Sequence, residues 1–348
     1  FLSVVAFTMF CINVILRKQW IEKEKLTYPL VQLPFEMSRE GNGHHPFFRN
    51  KPFWIGLGLS AGVNLINGIN YLFPLFPQIP LGHNLSVYFT ERPFSAMDDF
   101  SIQFNPFAIG LAFAIPLDLL FSCWFFFLFW KAEQVVGSMA GINQPGYPFA
   151  AQQILGGYLG IAIVALWLAR KPIWQLIKKV VRARSDEDDS REPMKYRTAV
   201  LGIILGISFL VFFSYQAGMT IRFALAFFGV YFAIAFAHTR ARAELGPPMH
   251  GIHYFGPFQF FIAAIGSRKL ANQTLTAAAP LWTFTKQFRN HPMPYILESF
   301  KLADRAGMDT RKLGRVIMLS VVVSLILTSW TFLQFSYKWG GISEGRGI

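Results

Sequence analysis

Seven segments of this chain are apolar over lengths near the roughly 20 residues a helix needs to cross a bilayer. They are residues 1–16, 53–73, 106–130, 154–168, 199–213, 221–237 and 316–335. The chain is 53% hydrophobic and only 15% charged, with 38 Phe, where soluble domains carry about 25% charged residues. One aqueous core could not hide that much apolar surface. The spacing therefore predicts an all-α, polytopic transmembrane helical bundle.

Two further apolar segments, 255–265 and 275–284, are too short to cross. Gly256, Pro257, Gly266 and Pro280 flank or interrupt them, so they read as re-entrant or broken helices. Such backbone is tolerated at membrane depth only where protein or a wet cavity shields it. The first residue is Phe1, and Arg17 and Lys18 follow the first apolar run. A signal peptide carries its charge before that run. The expectation is a fragment of a longer permease: a transmembrane core over 1–310, truncated at its N-terminus, and the start of a C-terminal transmembrane segment over 311–348.

Lys and Arg are unevenly spread. Residues 17–51 hold seven, 170–197 hold nine and 286–315 hold seven, whereas 74–105 hold only Arg92. The positive-inside bias puts the first three in the cytoplasm and 74–105 outside. The net charge of +13 is explained the same way, without nucleic acid, for which no binding motif is present. One conflict follows. Three candidate spans separate the first two basic loops, and an odd number changes sides. The segment 132–153, rich in Gly and Pro, is the suspect for a hidden or missing crossing.

Within 172–184, Ile173, Leu176, Ile177, Val180 and Val181 form one stripe, opposed by Lys178, Lys179, Arg182 and Arg184. This predicts an interfacial amphipathic helix with Pro172 in its first turn. Residues 294–306 predict a second short helix, capped by Gly307, with Asp309 or Thr310 starting the next.

Ionisable groups within apolar spans are costly and so informative. Asp118 follows Pro116 by two residues inside the third span, which suggests a helix break beside a carboxylate. A proton, cation or substrate site and a structural hydrogen bond are both open. His238, Arg240, Arg242 and Glu244 end the sixth span just before Gly246, with Arg240 and Glu244 at i, i+4. A site wall and an ordinary charged helix end are both open. Asn64, Asn67 and Asn70 form a polar stripe in the second span, which fits hydrogen bonding between helices or a lined pathway.

His250 and His253 have usable metal spacing, but no Cys or carboxylate set completes it, and His44–His45 reads as a loop pair. Cys11 and Cys123 suggest no disulfide framework. No metal or cofactor is expected. The chain has no nucleophile elbow, no phosphate-binding loop and no zinc-protease motif, so it does not read as an enzyme. A lipid-modifying enzyme would need His238, Glu244 and His250 to converge.

Three segments together resemble the oligopeptide transporter superfamily, including its yellow stripe-like branch. They are Glu24–Lys25–Leu26–Thr27–Tyr28–Pro29 with Pro34–Phe35–Glu36, Phe107–Ala108–Ile109–Gly110–Leu111–Ala112–Phe113, and Arg242–Ala243–Glu244–Leu245–Gly246–Pro247–Pro248. They occur in family order over about two thirds of the chain, and the likeness is nearest to an uncharacterised bacterial branch. The resemblance implies a multi-pass permease of the bacterial inner membrane that moves small peptides or metal-chelate-like solutes with protons. It raises Arg242 and Glu244 and adds Tyr28 and Glu36 as candidates. The chain departs from the better-known branches in the insertion 170–197 and in Asp118. The partners expected are the solute, protons and membrane lipids, with homo-oligomerisation open. The alternative function is a non-transporting membrane scaffold or assembly component.

Overall fold

The computed structural model describes residues 1–38, 47–113, 115–142, 144–181, 192–246, 255–285 and 291–340. The chain folds into thirteen α-helices among these residues. They are α1 (Leu2–Arg17), α2 (Pro29–Ser38), α3 (Lys51–Leu72), α4 (Pro106–Ala112), α5 (Leu117–Met139), α6 (Ala150–Val181), α7 (Tyr196–Gln216), α8 (Ile221–Leu245), α9 (Pro257–Ile265), α10 (Asn272–Ala278), α11 (Trp282–Thr285), α12 (Pro292–Ala306) and α13 (Thr310–Trp339). Among the described residues the one departure from helical structure is a short antiparallel strand pair, β1 (Gly82–Asn84) with β2 (Ser101–Gln103), pairing His83 with Ile102. Seven of the helices are long and apolar enough to cross a membrane: α1 with its extension, α3, α5, α6, α7, α8 and α13.

The chain forms two compact units. The first comprises Phe1–Leu26, Leu155–Ala243 and Met249–Ile348; the second comprises Thr27–Ile154 and Glu244–Pro248. In the first unit α1 packs against α7, α12 and α13. Gly202 and Gly206, one turn apart on α7, let α1 approach. A Cβ on Gly206 would sit 2.1 Å from Thr8 Oγ1, and one on Gly202 would sit 2.6 Å from Cys11 Sγ. Small residues at this spacing are what close helix contact in a membrane requires. Met9, Phe10, Trp20, Phe227, Phe228 and Phe300 fill the core around this contact.

In the second unit, α3 and α5 leave large apolar side chains uncovered: Ile55 is 62%, Leu59 68% and Leu65 66% exposed. A water-soluble surface rarely carries apolar patches of this extent, and lipid satisfies them.

Several sequence expectations are corrected. The segment 106–130 is not one span: α4 ends at Ala112 and α5 begins at Leu117, after Pro116. Pro116 cannot continue a helix, and it disfavours helical geometry in the residue before it. Residues 154–168 and 172–184 are not two helices. Through residue 181 they form the single α6, with Pro172 inside it; residues 182–184 lie outside the described residues. The segment 275–284, by contrast, is broken at Pro280 as expected, into α10 and α11. No crossing is hidden in 132–153: α5 runs on to Met139, a turn follows, and α6 starts at Ala150. The asparagine stripe of α3 does not bridge to another helix. Asn67 exchanges two hydrogen bonds with the backbone of Ile79 (2.9 and 2.8 Å), Asn70 donates to Phe76 O, and Asn64 donates to Ser60 O in its own helix (2.8 Å). The amides hold down the chain that follows α3. The short helix before α13 forms as α12, ended by Gly307 at φ 66° and followed by the Asp309 N-cap, which accepts from Arg311 N and Lys312 N. His44, His45, Asp186–Asp189, His250 and His253 lie outside the described residues.

Candidate functional site

The polar residues of the first unit meet on one face of α8. Tyr231, His238 and Arg242 recur at i, i+7 and i+11, a single stripe on a 3.6-residue helix. Opposite them α12 presents His291 at its N-cap, then Tyr295 and Glu298, at i, i+4 and i+7. Tyr231 Oη lies 3.3 Å from His291 Nε2, and the His238 and His291 rings are 6.2 Å apart. Arg242 donates from Nε and Nη2 to both oxygens of Glu298, at 2.6 and 3.1 Å. Its guanidinium also covers the Tyr295 ring at 4.1 Å. A planar guanidinium fork matches a carboxylate in this way, which makes such pairs strong and directional.

These contacts run in the same order along both helices, so α12 lies parallel to α8 and begins level with Tyr231. At ~1.5 Å per residue, that is about 16 Å along the axis from Arg242. Helix α12 thus begins beside Tyr231, well before the end of α8. The chain reaches it through the broken run of α9, α10 and α11, in which α9 packs on α11.

Beside this N-terminus lies a cavity of about 530 Å³. Apolar residues of α1 (Val5, Met9) form one side, and Ser320 and Ser324, near the middle of α13, form another. Tyr231, Thr283 and His291 supply further polar groups. No lining residue carries a formal charge at neutral pH. Burial pushes the His291 imidazole down to about 3, because the charged form would lose its water. It faces the cavity neutral.

Charges cluster again at the far end of α12. Arg17, only 2% exposed, reaches Glu192 at 2.9 Å, Glu22 at 3.0 Å and Asp304 at 3.6 Å. Burial raises the Glu192 carboxyl, with Arg17 pulling the other way. Glu298 is raised by the same cause and opposed by Arg242. This cluster ties the end of α1 to the approach to α7 and to α12.

The residues singled out from sequence separate into groups. Arg242 and His238 (1% exposed) are buried on the α8–α12 face. Arg240 pairs with Glu24 and lies 5.4 Å over the Trp20 ring. Glu244 is exposed, and its backbone oxygen accepts from Thr27 Oγ1 at 2.6 Å. The segment around Glu24–Pro29 and the end of α8, more than two hundred residues apart, are therefore neighbours. Tyr28 is buried, at φ 46°. Glu36 is exposed on α2, and Asp118 is exposed in the first turn of α5. Asn64 lines a separate recess of about 410 Å³ with Ser60, Gln103 and Asn105. Sequence reasoning missed Tyr231, His291, Tyr295, Glu298 and Glu192. The i, i+4, i+7 spacing of His291, Tyr295 and Glu298 was the available signal.

Seven helices long and apolar enough to cross, large apolar side chains left uncovered, and broken helices beside a cavity together define a polytopic helical membrane protein. By sequence the chain belongs to DUF6785, a family of unknown function, which it matches over residues 1–347. No curated protein and no solved structure matches it.

Proposed function

We propose that this chain is the permease part of a secondary active transporter of the bacterial cell membrane, moving small peptide-like solutes or metal chelates together with protons. The observation that carries this is the cavity at the N-terminus of α12, level with the middle of α13. Transporters of broken-helix architecture place solute near the bilayer midplane, against half-helix ends. Here the positive end of the α12 dipole lies beside the cavity, which suits a carbonyl or carboxylate of the solute; Pro292 and Pro294 carry no N–H, so the hydrogen bonds come from side chains. Tyr231, Thr283, Ser320 and Ser324 supply neutral hydrogen bonds, and α1 supplies the apolar wall.

The resemblance to oligopeptide transporters supports the same reading. Coupling falls to Glu298. Its carboxylate is buried and held by Arg242, so taking up a proton weakens the link between α8 and α12 beside the cavity. Asp118 and Glu244 are both exposed and are the weaker candidates.

The test is uptake by the full-length protein in proteoliposomes, with dipeptides, tripeptides and metal chelates, with and without a pH gradient. Expected is gradient-driven uptake that falls at least tenfold in Ser324→Leu, which fills the cavity. It loses its gradient dependence in Glu298→Gln and keeps it in Asp118→Asn and Glu244→Gln. Uptake unchanged in Ser324→Leu overturns the cavity as the route. No uptake of any of these solutes by folded protein favours the scaffold alternative.

A further inference from the structure

The second unit holds a recess of its own, of about 340 Å³, on the last turns of α5. Two clamps build it. Lys131, 3% exposed, donates from Nζ to the carbonyls of Met97 (2.6 Å) and Asp99 (2.8 Å) and lies 4.4 Å from the Trp130 ring. It pins the stretch that carries Arg92 against α5. On the other side the turn after α5 folds back so that the Tyr147 ring packs against Gly137. A Cβ at Gly137 would stand 2.1 Å from Tyr147 Cε1, so only glycine admits this ring. Arg92 and Tyr147 thus come to flank Gln134 and Ser138, with Gln144 on the rim.

The chemistry of this recess is incomplete in a specific way. Arg92, the single cation of residues 74–105, makes no ion pair among the described residues. No carboxylate lines the recess, and the nearby Glu133 is engaged by Gln153 at 3.2 Å. Gln134 Oε1 is buried without a hydrogen-bond partner. A buried acceptor left unpaired costs about 1–3 kcal/mol. A guanidinium fork calls for a planar anion, and an unpaired amide oxygen calls for an N–H donor.

We propose that this recess binds a small carboxylate that carries an N–H donor beside it, as acylated or free amino acids do, with the carboxylate on Arg92 and the N–H on Gln134 Oε1. The ligand needs both features, because each protein group answers one of them. A phosphate group alone would satisfy Arg92 and leave Gln134 unpaired.

The experiment is calorimetric binding to the purified full-length protein in detergent, without a gradient, so that it does not depend on transport. The probes are N-acetylglycine, its amide (no carboxylate), N-acetylsarcosine (no N–H) and phosphoethanolamine (a lipid headgroup). N-acetylglycine is expected to bind at least tenfold more tightly than each of the other three. Arg92→Gln, at an exposed position that leaves the fold intact, should abolish the preference over the amide. Gln134→Leu should abolish the preference over N-acetylsarcosine. Equal binding of acid and amide, or no effect of Arg92→Gln, overturns the proposal. Tighter binding of phosphoethanolamine overturns it in favour of a lipid headgroup. Loss of binding in Ser324→Leu would place the ligand in the first unit's cavity and overturn it as well.

Discussion

Arg242 shows how one residue changes meaning between sequence and structure. The sequence spacing paired Glu244 with Arg240 and gave Arg242 no carboxylate; that carboxylate is Glu298, 56 residues on, held by two hydrogen bonds. Their side chains are 6% and 14% exposed. Removing one member strands a buried charge, which costs about 3–5 kcal/mol. Arg242→Met alone should therefore destabilise the folded protein by about that amount. Arg242→Met with Glu298→Leu should recover most of it, as read by thermal unfolding in detergent. A double variant no better than the single one would show that the pair does more than neutralise itself. His291 gives a pH signature. Its folded value, about 3, lies below the ordinary 6.5. Its contribution to stability is therefore present above pH ~6.5 and is lost as pH falls from there toward 3. Glu192 and Glu298 are shifted upward, so they act in the opposite sense on acidification. The difference between wild type and His291→Asn isolates the imidazole: the variant should lose less of its melting temperature between pH 7 and pH 5. Equal losses would show that the His291 imidazole binds protons in the fold as it does in the unfolded chain.

At the scale of elements, most helices were legible because each is apolar for its own length and ends at a recognisable signal. The spans of α7, α8 and α13 extend the apolar segments by a few residues or more at one end or both. Helix α12 stops at Gly307, and α13 starts on Asp309, as the sequence predicts. The errors lie where proline is ambiguous. Pro172 has the sequence signature of a helix start yet stands inside α6, because the apolar and amphipathic halves propagate as one helix through it. Pro116 and Pro280 do break their helices. The α1–α7 contact was not legible, since its glycines are informative only once the facing helix is known. Gly206→Leu should force these helices apart, with a side chain where Thr8 now packs, and overpacking of this kind costs about 1–3 kcal/mol or more. A lower melting temperature and a newly reactive Cys11 thiol are expected. A thiol that stays protected in this variant would mean that α1 and α7 are not in close contact.

At the scale of the whole molecule, the contacts address the question of sidedness that sequence left open. Arg17 and Glu192 are ion-paired, so both lie at one membrane face, and the chain between them crosses an even number of times. Helices α3, α5 and α6 between them are each long and apolar enough to cross. Lys131, late in α5, holds Met97 and Asp99, so the loop after α3 and the end of α5 share a face. With Cys123 replaced by Ala, single cysteines at Lys25 and Lys195 in the first unit should label from the same side of the membrane. Within the second unit, those at Tyr88 and Gln144 should likewise label from one side. Labelling of Lys25→Cys and Lys195→Cys from opposite sides would overturn the assignment.

Sequence alone determined the class of this protein and the position of most of its helices, because hydrophobic periodicity and helix signals are local and bilayer thickness sets their scale. It also flagged Arg242 and His238, since charge inside an apolar span is costly wherever the helix ends up. Only tertiary structure decided which groups meet. Glu298, His291 and Tyr231 look ordinary in their own segments, and Asp118 looks buried in its own. Partnership and depth depend on which helices pack together, and that is a property of no single stretch of chain.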